Sequence, residues 1–496
     1  MAFGTQISLI ALLALLTAAP LATAQPAASD LRQTESLYES MFDRGEPDIA
    51  KLNLFLTRMP KGGDLHNHYT GSLYAETYLD WVARRDWRIN PCTLKIVKVP
   101  EEGECASLTV AQLIANNGLY RKLLGVWSDM DFYNHFHDQP PPDSNFFNTF
   151  GYFGPISNDY MSAGLNILKQ RAIDENVSYI ETMLTTVPVK SADYFTREDA
   201  DRLNLALRAA QSPAETDRLL NEIASRLAEN EKFGAAIDAF VAMLDALHQG
   251  IDDDAFTMRF QTYASRVVDP LQVYMNLYAG FLASRKSPLI VGVNIVAPEN
   301  NNVALADYTL HMRMFGFLHQ RYPEVHRALH AGELTLGLVE PRELQFHIRQ
   351  AVEIAHAQRI GHGVDIPYEQ NAAELLAALK KDAAVEINLT SNQFILGVAN
   401  NAHPYRLYSS YGVPLVISTD DSGVSRNNLS HEYMLLASRY HPSYPKIKEY
   451  VYNSIRYSFL SERDKAVASR LLDRKFSEFE REMADLHNKL SRTAQE

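Results

Sequence analysis

An alternation runs through this chain and leaves it few folds to choose from. Eight short, β-rich apolar runs recur along it, separated by helical stretches. They are "GDLHNHY" (63–69), "VSYIETML" (177–184), "TMRFQTYAS" (257–265), "PLIVGVNIV" (288–296), "HRALHAG" (326–332), "QRIGHG" (358–363), "AAVEINL" (383–389) and "VPLVIST" (413–419). Parallel strands need a crossover between them, and a helix is the usual one, so the alternation predicts βα units around a parallel sheet. Eight such units favour an α/β fold of the closed (β/α)8, TIM-like barrel type over an open doubly wound sheet.

The rest of the chain is organised around this repeat. Residues 1–24, "MAFGTQISLIALLALLTAAPLATA", carry an apolar run from Ile7 to Leu16 and then Ala22-Thr23-Ala24, a small-x-small cleavage signal. The run is shorter than the ~20 residues a membrane span needs, so a signal peptide and export are expected, although the segment before the run lacks Lys or Arg. Residues 25–57 turn helical and form an arm. Residues 58–460 carry the barrel, and 461–496 read as an amphipathic, charge-laced helical tail. Between the first two runs the chain is too long for one crossover helix, and residues 80 to about 125 read as an insertion. Cys92 and Cys105, the only two cysteines, lie inside it; in an exported protein a nearby pair of this kind is expected to form a disulfide.

Charge narrows the partners. Net charge is −13, and no block of Lys or Arg occurs, which disfavours a nucleic-acid backbone or an anionic membrane and leaves a small polar substrate. Two His-x-His pairs stand out, His66/His68 and His135/His137. Spacing does not separate them, but position does. The active site of such a barrel lies at the C-terminal ends of its strands; the first pair ends a strand, whereas the second sits in an aromatic, proline-rich loop.

The same criterion selects His330 and Glu333 after the fifth strand, His362 after the sixth, and Asp420 and Asp421 after the eighth. Each alone has a structural explanation, since a histidine beside glycine is commonly a hydrogen-bonding group and Asp-Asp-Ser-Gly makes a good turn. Together they are an inventory for metal-assisted hydrolysis. Three imidazoles and a carboxylate make a zinc shell with a place left for water, and further titratable groups remain to move protons.

"MPKGGDLHNHYTGS", "HAGE", "RIGHG", "INLTSNQ" and "STDD" occur in the order found in adenosine deaminases, and over residues 58–460 the chain resembles that family of amidohydrolase barrels. The arm, the disulfide-bearing insertion, the leader and "FFNTFGYF" (146–153) make it most similar to the secreted growth-factor branch. The resemblance implies that His66, His68, His330 and Asp420 hold one Zn2+ per chain. It further implies that Glu333 protonates N1 of the purine, that His362 orients or deprotonates the attacking water, and that Asp421 hydrogen-bonds N7. The implied reaction converts adenosine, and 2′-deoxyadenosine, to inosine and ammonia. The resemblance also implies a homodimer formed through the arm, for which Leu37, Met41, Phe42, Leu52, Leu54 and Phe55 are available; an arm packed on its own barrel is the alternative.

Three positions depart from the family pattern. Thr70 stands where an acidic residue usually reaches the ribose. Ala297 stands where a glycine usually offers its N–H to purine N3, and Pro298 after it is expected to bias Ala297 toward extended geometry. Ser422 replaces a proline. These bear on substrate rather than on chemistry, and they keep open another aminopurine or modified nucleoside as substrate. A barrel retained mainly for extracellular binding or signalling is the non-enzymatic alternative, against which stands the full set of candidate ligands.

Overall fold

A computed structural model of the protein describes residues 28–132 and 140–493. The leader segment and the pair His135/His137 lie outside the described residues. Eight parallel strands form the core: β1 (Gly62–His68), β2 (Val177–Met183), β3 (Thr257–Ser265), β4 (Ile290–Val296), β5 (Ala328–Ala331), β6 (Arg359–His362), β7 (Ala384–Ile387) and β8 (Leu415–Ile417). Each coincides with one of the eight runs. The later ones are shorter than the sequence implies, because their polar ends leave the ladder and enter loops, as at Gly332 with φ +73°.

The strands pair in chain order as two parallel sheets, β1-β2-β3-β4 and β5-β6-β7-β8. One isolated parallel bridge joins them at each seam, Val293 with Arg327 and Asn67 with Asp420. At the second seam Asp420 N–H donates to the His66 carbonyl at 2.8 Å. That bond draws the segment after β8 against β1, so two candidate metal ligands are set side by side by main-chain pairing. Within β1 the register slips between Asp64 and Asn67, a bulge of the kind that re-aims side chains near active sites. Burial on both faces explains why these strands read as continuous apolar runs rather than alternating ones.

Lys61, just before β1, is fully buried. Its ammonium donates to the carbonyls of Thr57, Met59 and Glu175 at 3.2, 2.8 and 2.7 Å, which uses all three donors. Burial pushes its pKa down to about 7.

The insertion after β1 builds its own small antiparallel sheet, Arg88–Ile89 between Ile96–Val97 and Leu108–Thr109. The Cys92–Cys105 disulfide is formed across the loop of this sheet. Trp81 and Trp127 are fully buried there, and the Trp127 indole donates to the Leu94 carbonyl at 2.9 Å.

The arm consists of α1 (Ala28–Glu39) and α2 (Ile49–Arg58), and it packs on its own chain. Thr34 Oγ1 donates to the Glu480 carbonyl at 3.1 Å on α3 (Glu462–Thr493), and Tyr38 donates to the Pro442 carbonyl at 2.9 Å. Leu37, Met41, Leu52 and Phe55 are buried within the chain, and Phe42 stacks on His441. Of the apolar residues expected to serve a dimer, Leu54 alone remains largely exposed, at 71%. No helix among the described residues is long and apolar enough to cross a membrane.

Candidate active site and metal centre

At the C-terminal ends of the strands the separated histidines converge. His68 Nε2 lies 3.2 Å from His330 Nε2 and 3.4 Å from Asp420 Oδ1, and His66 Nε2 lies 3.5 Å from the same oxygen. Ligands about 2.0–2.1 Å from a tetrahedral zinc ion stand about 3.3 Å from one another, so these separations match one coordination shell. His66 Nε2 is buried without a hydrogen-bond partner, which would cost about 1–3 kcal/mol unless something accepts its lone pair. The donor set fits a divalent metal.

Partners on the far side of the rings aim these nitrogens. His66 Nδ1 is 2.7 Å from Glu386 Oε2 on β7, and His330 Nδ1 is 3.0 Å from Asn294 Oδ1 on β4. Burial pulls the His66 pKa down, but the Asp420 and Glu386 carboxylates beside the ring override it and raise it to about 10, so a metal ion at Nε2 would take the place of a proton there. Burial, reinforced by the neighbouring imidazoles, holds His330 well below the usual histidine range. Two glycines make room. A Cβ on Gly71 would lie 1.5 Å from Asp421 Oδ1, and one on Gly361 would lie 2.7 Å from His66 Cε1.

Beside this cluster stand the three residues expected to handle protons and purine. Glu333 is buried, and its carboxyl is pushed up to about 8 by burial and then by the charge of Asp420. Its loop is held by Glu299, which accepts the N–H groups of Gly332 and Glu333 at 3.1 and 2.9 Å. Glu299 is held in turn by His347 Nδ1 at 2.6 Å. Asp421 is raised well above the carboxylate range by burial and by Asp420, and its Oδ1 has no partner. In that state it is a neutral acid with a proton to donate.

His362 Nε2 lies 3.5 Å from Glu333 Oε1 and 3.8 Å from Asp420 Oδ2. Its tautomer can be traced from a main-chain donor. Tyr405 N–H donates to His403 Nδ1 at 3.1 Å, so His403 carries its proton on Nε2 and gives it to Asn392 Oδ1 at 3.0 Å. The Asn392 amide nitrogen then faces His362 Nδ1 at 2.8 Å. His362 Nδ1 therefore accepts, and Nε2–H points at the cluster. Burial lowers its pKa to about 3, keeping the ring neutral.

A cavity of about 330 Å³ opens onto these groups, lined by His68, Thr70, Ala297, His330, Glu333, His362, Asp420 and Asp421. Phe146, Phe147 and Phe150, from the helix Pro142–Ser157, form an aromatic wall together with Tyr263 and Val296. Among the described residues, no Lys or Arg lines it.

Ala297 corrects the expectation drawn from Pro298. Its φ is +85° rather than extended, and its carbonyl is pinned by Arg266 Nε at 2.7 Å. Tertiary hydrogen bonding wins over the local preference, and the position keeps a glycine-like backbone without a glycine. Such strain costs about 1–3 kcal/mol, part of it offset by the lower unfolded-state entropy of alanine. Ala297→Gly is therefore expected to stabilise the fold by about 1 kcal/mol, read as a higher urea midpoint at unchanged slope. The Ser422 departure is accommodated too, its hydroxyl accepting from Arg171 Nη2 at 3.3 Å.

Glu386, Asn294, Glu299 and Asn392 are not singled out by the sequence. The first three are polar residues inside or just after apolar strands, a recurrent sign of a buried polar network, but nothing local says which partner each meets. Asn392 lies in "INLTSNQ", within the family resemblance.

The model of the adenosine deaminase family matches residues 192–474, a span that holds His330, Glu333, His362, Asp420 and Asp421 but not the His66/His68 pair. The chain is 26% identical to an adenosine deaminase of Clostridium kluyveri over 282 residues, 54% of this chain and 76% of that one. It is 32% identical to an adenosine deaminase of Escherichia coli over 150 residues, 30% of this chain and 42% of the other. Among solved structures, an Arabidopsis N6-mAMP deaminase aligns with TM-score 0.54 at 18% identity, covering 85% of this chain and 99% of its own. An amidohydrolase from Burkhoderia ambifaria, solved with bound Zn, aligns with TM-score 0.52 at 16% identity, covering 88% and 94%. With a family match over more than half its length, in a chain whose fold these solved structures share, the protein belongs to the adenosine deaminase family of hydrolases.

Proposed function

We propose that this protein is an exported zinc enzyme that hydrolytically deaminates adenosine and 2′-deoxyadenosine to inosine and ammonia. The observation that carries the reading is a buried Glu333, its carboxyl pushed up by burial and by Asp420, beside a metal-fitting His/Asp cluster in a cavity that no Lys or Arg among the described residues lines. Zn2+ held by His66, His68, His330 and Asp420 would supply Lewis-acid activation of water at neutral pH. Glu333, with its raised pKa, holds the proton that purine N1 must gain as C6 is attacked. His362 presents Nε2–H to the oxygen side of the reacting centre, where it orients the attacking water and stabilises developing negative charge. This assigns His362 the donor's part rather than that of a base. Neutral Asp421 donates to N7, and the phenylalanine wall excludes water and packs against the base. Thr70 and the Ala297 main chain are the groups offered to ribose and purine N3.

The formed Cys92–Cys105 disulfide supports export, since such bonds persist in oxidising compartments. The arm, the disulfide-bearing insertion and "FFNTFGYF" support placement near the secreted growth-factor branch. A nucleotide substrate is the second reading, favoured by the names of relatives such as the Arabidopsis N6-mAMP deaminase. A phosphate in this cavity would meet no Lys or Arg among the described residues, which leaves its charge poorly compensated.

The test is a panel of adenosine, 2′-deoxyadenosine, AMP and N6-methyl-AMP on the zinc-loaded protein. Nucleoside kcat/KM is expected to exceed nucleotide kcat/KM on the order of 10²-fold. Faster turnover of AMP or its N6-methyl form would overturn the nucleoside assignment while leaving the family untouched.

A further inference from the structure

Seven consecutive strands each contribute one buried polar residue to a single hydrogen-bonded chain beneath the candidate metal ligands. His330 Nδ1 meets Asn294 Oδ1 at 3.0 Å, and Asn294 Nδ2 donates to Gln261 Oε1 at 3.0 Å. Gln261 Nε2 donates to Glu181 Oε2 at 3.2 Å. Arg359 Nη2 donates to the same oxygen at 2.6 Å, and Arg359 Nε donates to Glu386 Oε1 at 2.6 Å. Glu386 Oε2 closes the chain on His66 Nδ1 at 2.7 Å. Every member is almost fully buried, so none can exchange its partner for bulk water.

The direction of the chain does not depend on how either amide is assigned. Arg359 has five donors and no acceptor, so it can only give hydrogen bonds to Glu181 and Glu386. Glu181, already accepting from Arg359, Tyr179 and the Phe459 main chain, receives a hydrogen bond from Gln261 as well. Gln261 must therefore turn its NH2 toward Glu181 and its oxygen toward Asn294. Asn294, giving its NH2 to Gln261, has only its oxygen left for His330. His330 consequently carries its proton on Nδ1 and presents a bare Nε2 to the cluster. On the other arm, Glu386 accepts from Arg359 and from His66 Nδ1–H, which aims His66 Nε2 at the cluster.

We propose that Gln261 is a positioning residue that relays the polarity of Arg359 to His330 and thereby selects the metal-binding tautomer of that histidine. Neither Gln261 nor Arg359 touches the cavity. The relay works through Asn294, whose Oδ1 also accepts from the Ile295 main-chain N–H at 2.8 Å, so Gln261 on one side of the amide and that N–H on the other turn the same oxygen toward His330. The inference rests on the metal-dependent reading of the site, but its key readout does not need the metal.

Three variants and two measurements test it: the tautomer of His330 by 15N NMR of the metal-free protein, and the Zn2+ Kd by competition with a chelator. Gln261→Met keeps the bulk of the side chain and removes both polar ends. It removes the side-chain acceptor that holds the Asn294 amide nitrogen, leaving only the Ile295 N–H to orient that amide, so the His330 resonances are expected to shift toward a mixed tautomer and the Zn2+ Kd to rise by about 10–100-fold. Gln261→Glu, protonated in this buried position, still donates to Glu181 and accepts from Asn294; it should keep the wild-type tautomer and Kd. Gln261→Met/Asn294→Asp should recover both, because a carboxylate at 294 accepts the Nδ1 proton without needing orientation. A wild-type tautomer and Kd in Gln261→Met overturn the proposal. So does a loss that Asn294→Asp fails to rescue, which would show packing rather than polarity at work. Should wild-type protein bind no zinc, the metal reading falls, while the His330 tautomer in the metal-free variants still decides the relay.

Discussion

Glu333→Gln is expected to lower kcat/KM for adenosine by about 10²–10⁴-fold, the usual worth of a positioned proton donor. The fold and the metal content should stay unchanged. The side chain is nearly isosteric, and the loop that carries it is held through its main chain by Glu299 rather than through its carboxyl. The pH dependence follows from the sign of the shift. Burial and Asp420 raise the Glu333 carboxyl to about 8, so the proton-bearing form is present below that pH and lost above it. Wild-type kcat/KM should therefore fall on the alkaline side. A divalent cation at the adjacent donors opposes the upward shift, which places the alkaline limb at or below pH 8. Deamination by Glu333→Gln at the wild-type rate would remove Glu333 from the reaction altogether.

Arg359→Met should be the most destabilising single change in the barrel interior. The guanidinium is fully buried, bonded to Glu181 and Glu386 at 2.6 Å each and seated 3.9 Å over the Phe459 ring. Burial opposes its charge, yet the two carboxylates hold its pKa above the ordinary arginine value. Its removal strands two carboxylates in the core, and breaking a buried pair in this way costs about 3–5 kcal/mol. Urea unfolding would measure it. Adding Glu181→Gln and Glu386→Gln should restore much of the stability by removing the stranded charges, without restoring activity, since His66 would lose its carboxylate partner. A triple variant no more stable than Arg359→Met would show that the loss comes from packing against Phe459 rather than from charge.

The eight strands were legible because a strand buried on both faces leaves an apolar signature that no helix cap or turn imitates. Histidine positions were legible for a related reason. In a barrel the functional groups collect at one end of every strand, so reading strand ends amounts to reading the site. His66, His330, His362 and Asp420 are each ambiguous alone and converge in space from the ends of four different strands. The backbone of Ala297 is not legible locally, because the bias from Pro298 is weaker than a carbonyl pinned by a buried arginine. The residues alone leave the arm two places to pack, its own barrel or a second copy, and the chain itself covers most of its apolar face.

Periodicity and local motif chemistry act between neighbours in the chain, and for that reason the order of strands, the outline of the insertion and the inventory of candidate ligating residues can be written down from residues alone. Tautomers, raised carboxyls and the partner of each buried polar group depend on contacts between strands far apart in sequence. Nothing near Gln261 in the chain says that it stands between Glu181 and Asn294, and nothing near His330 says on which nitrogen its proton rests. Those are set when the barrel closes and water leaves its interior, because only then does an unpaired hydrogen bond become costly enough to choose one arrangement.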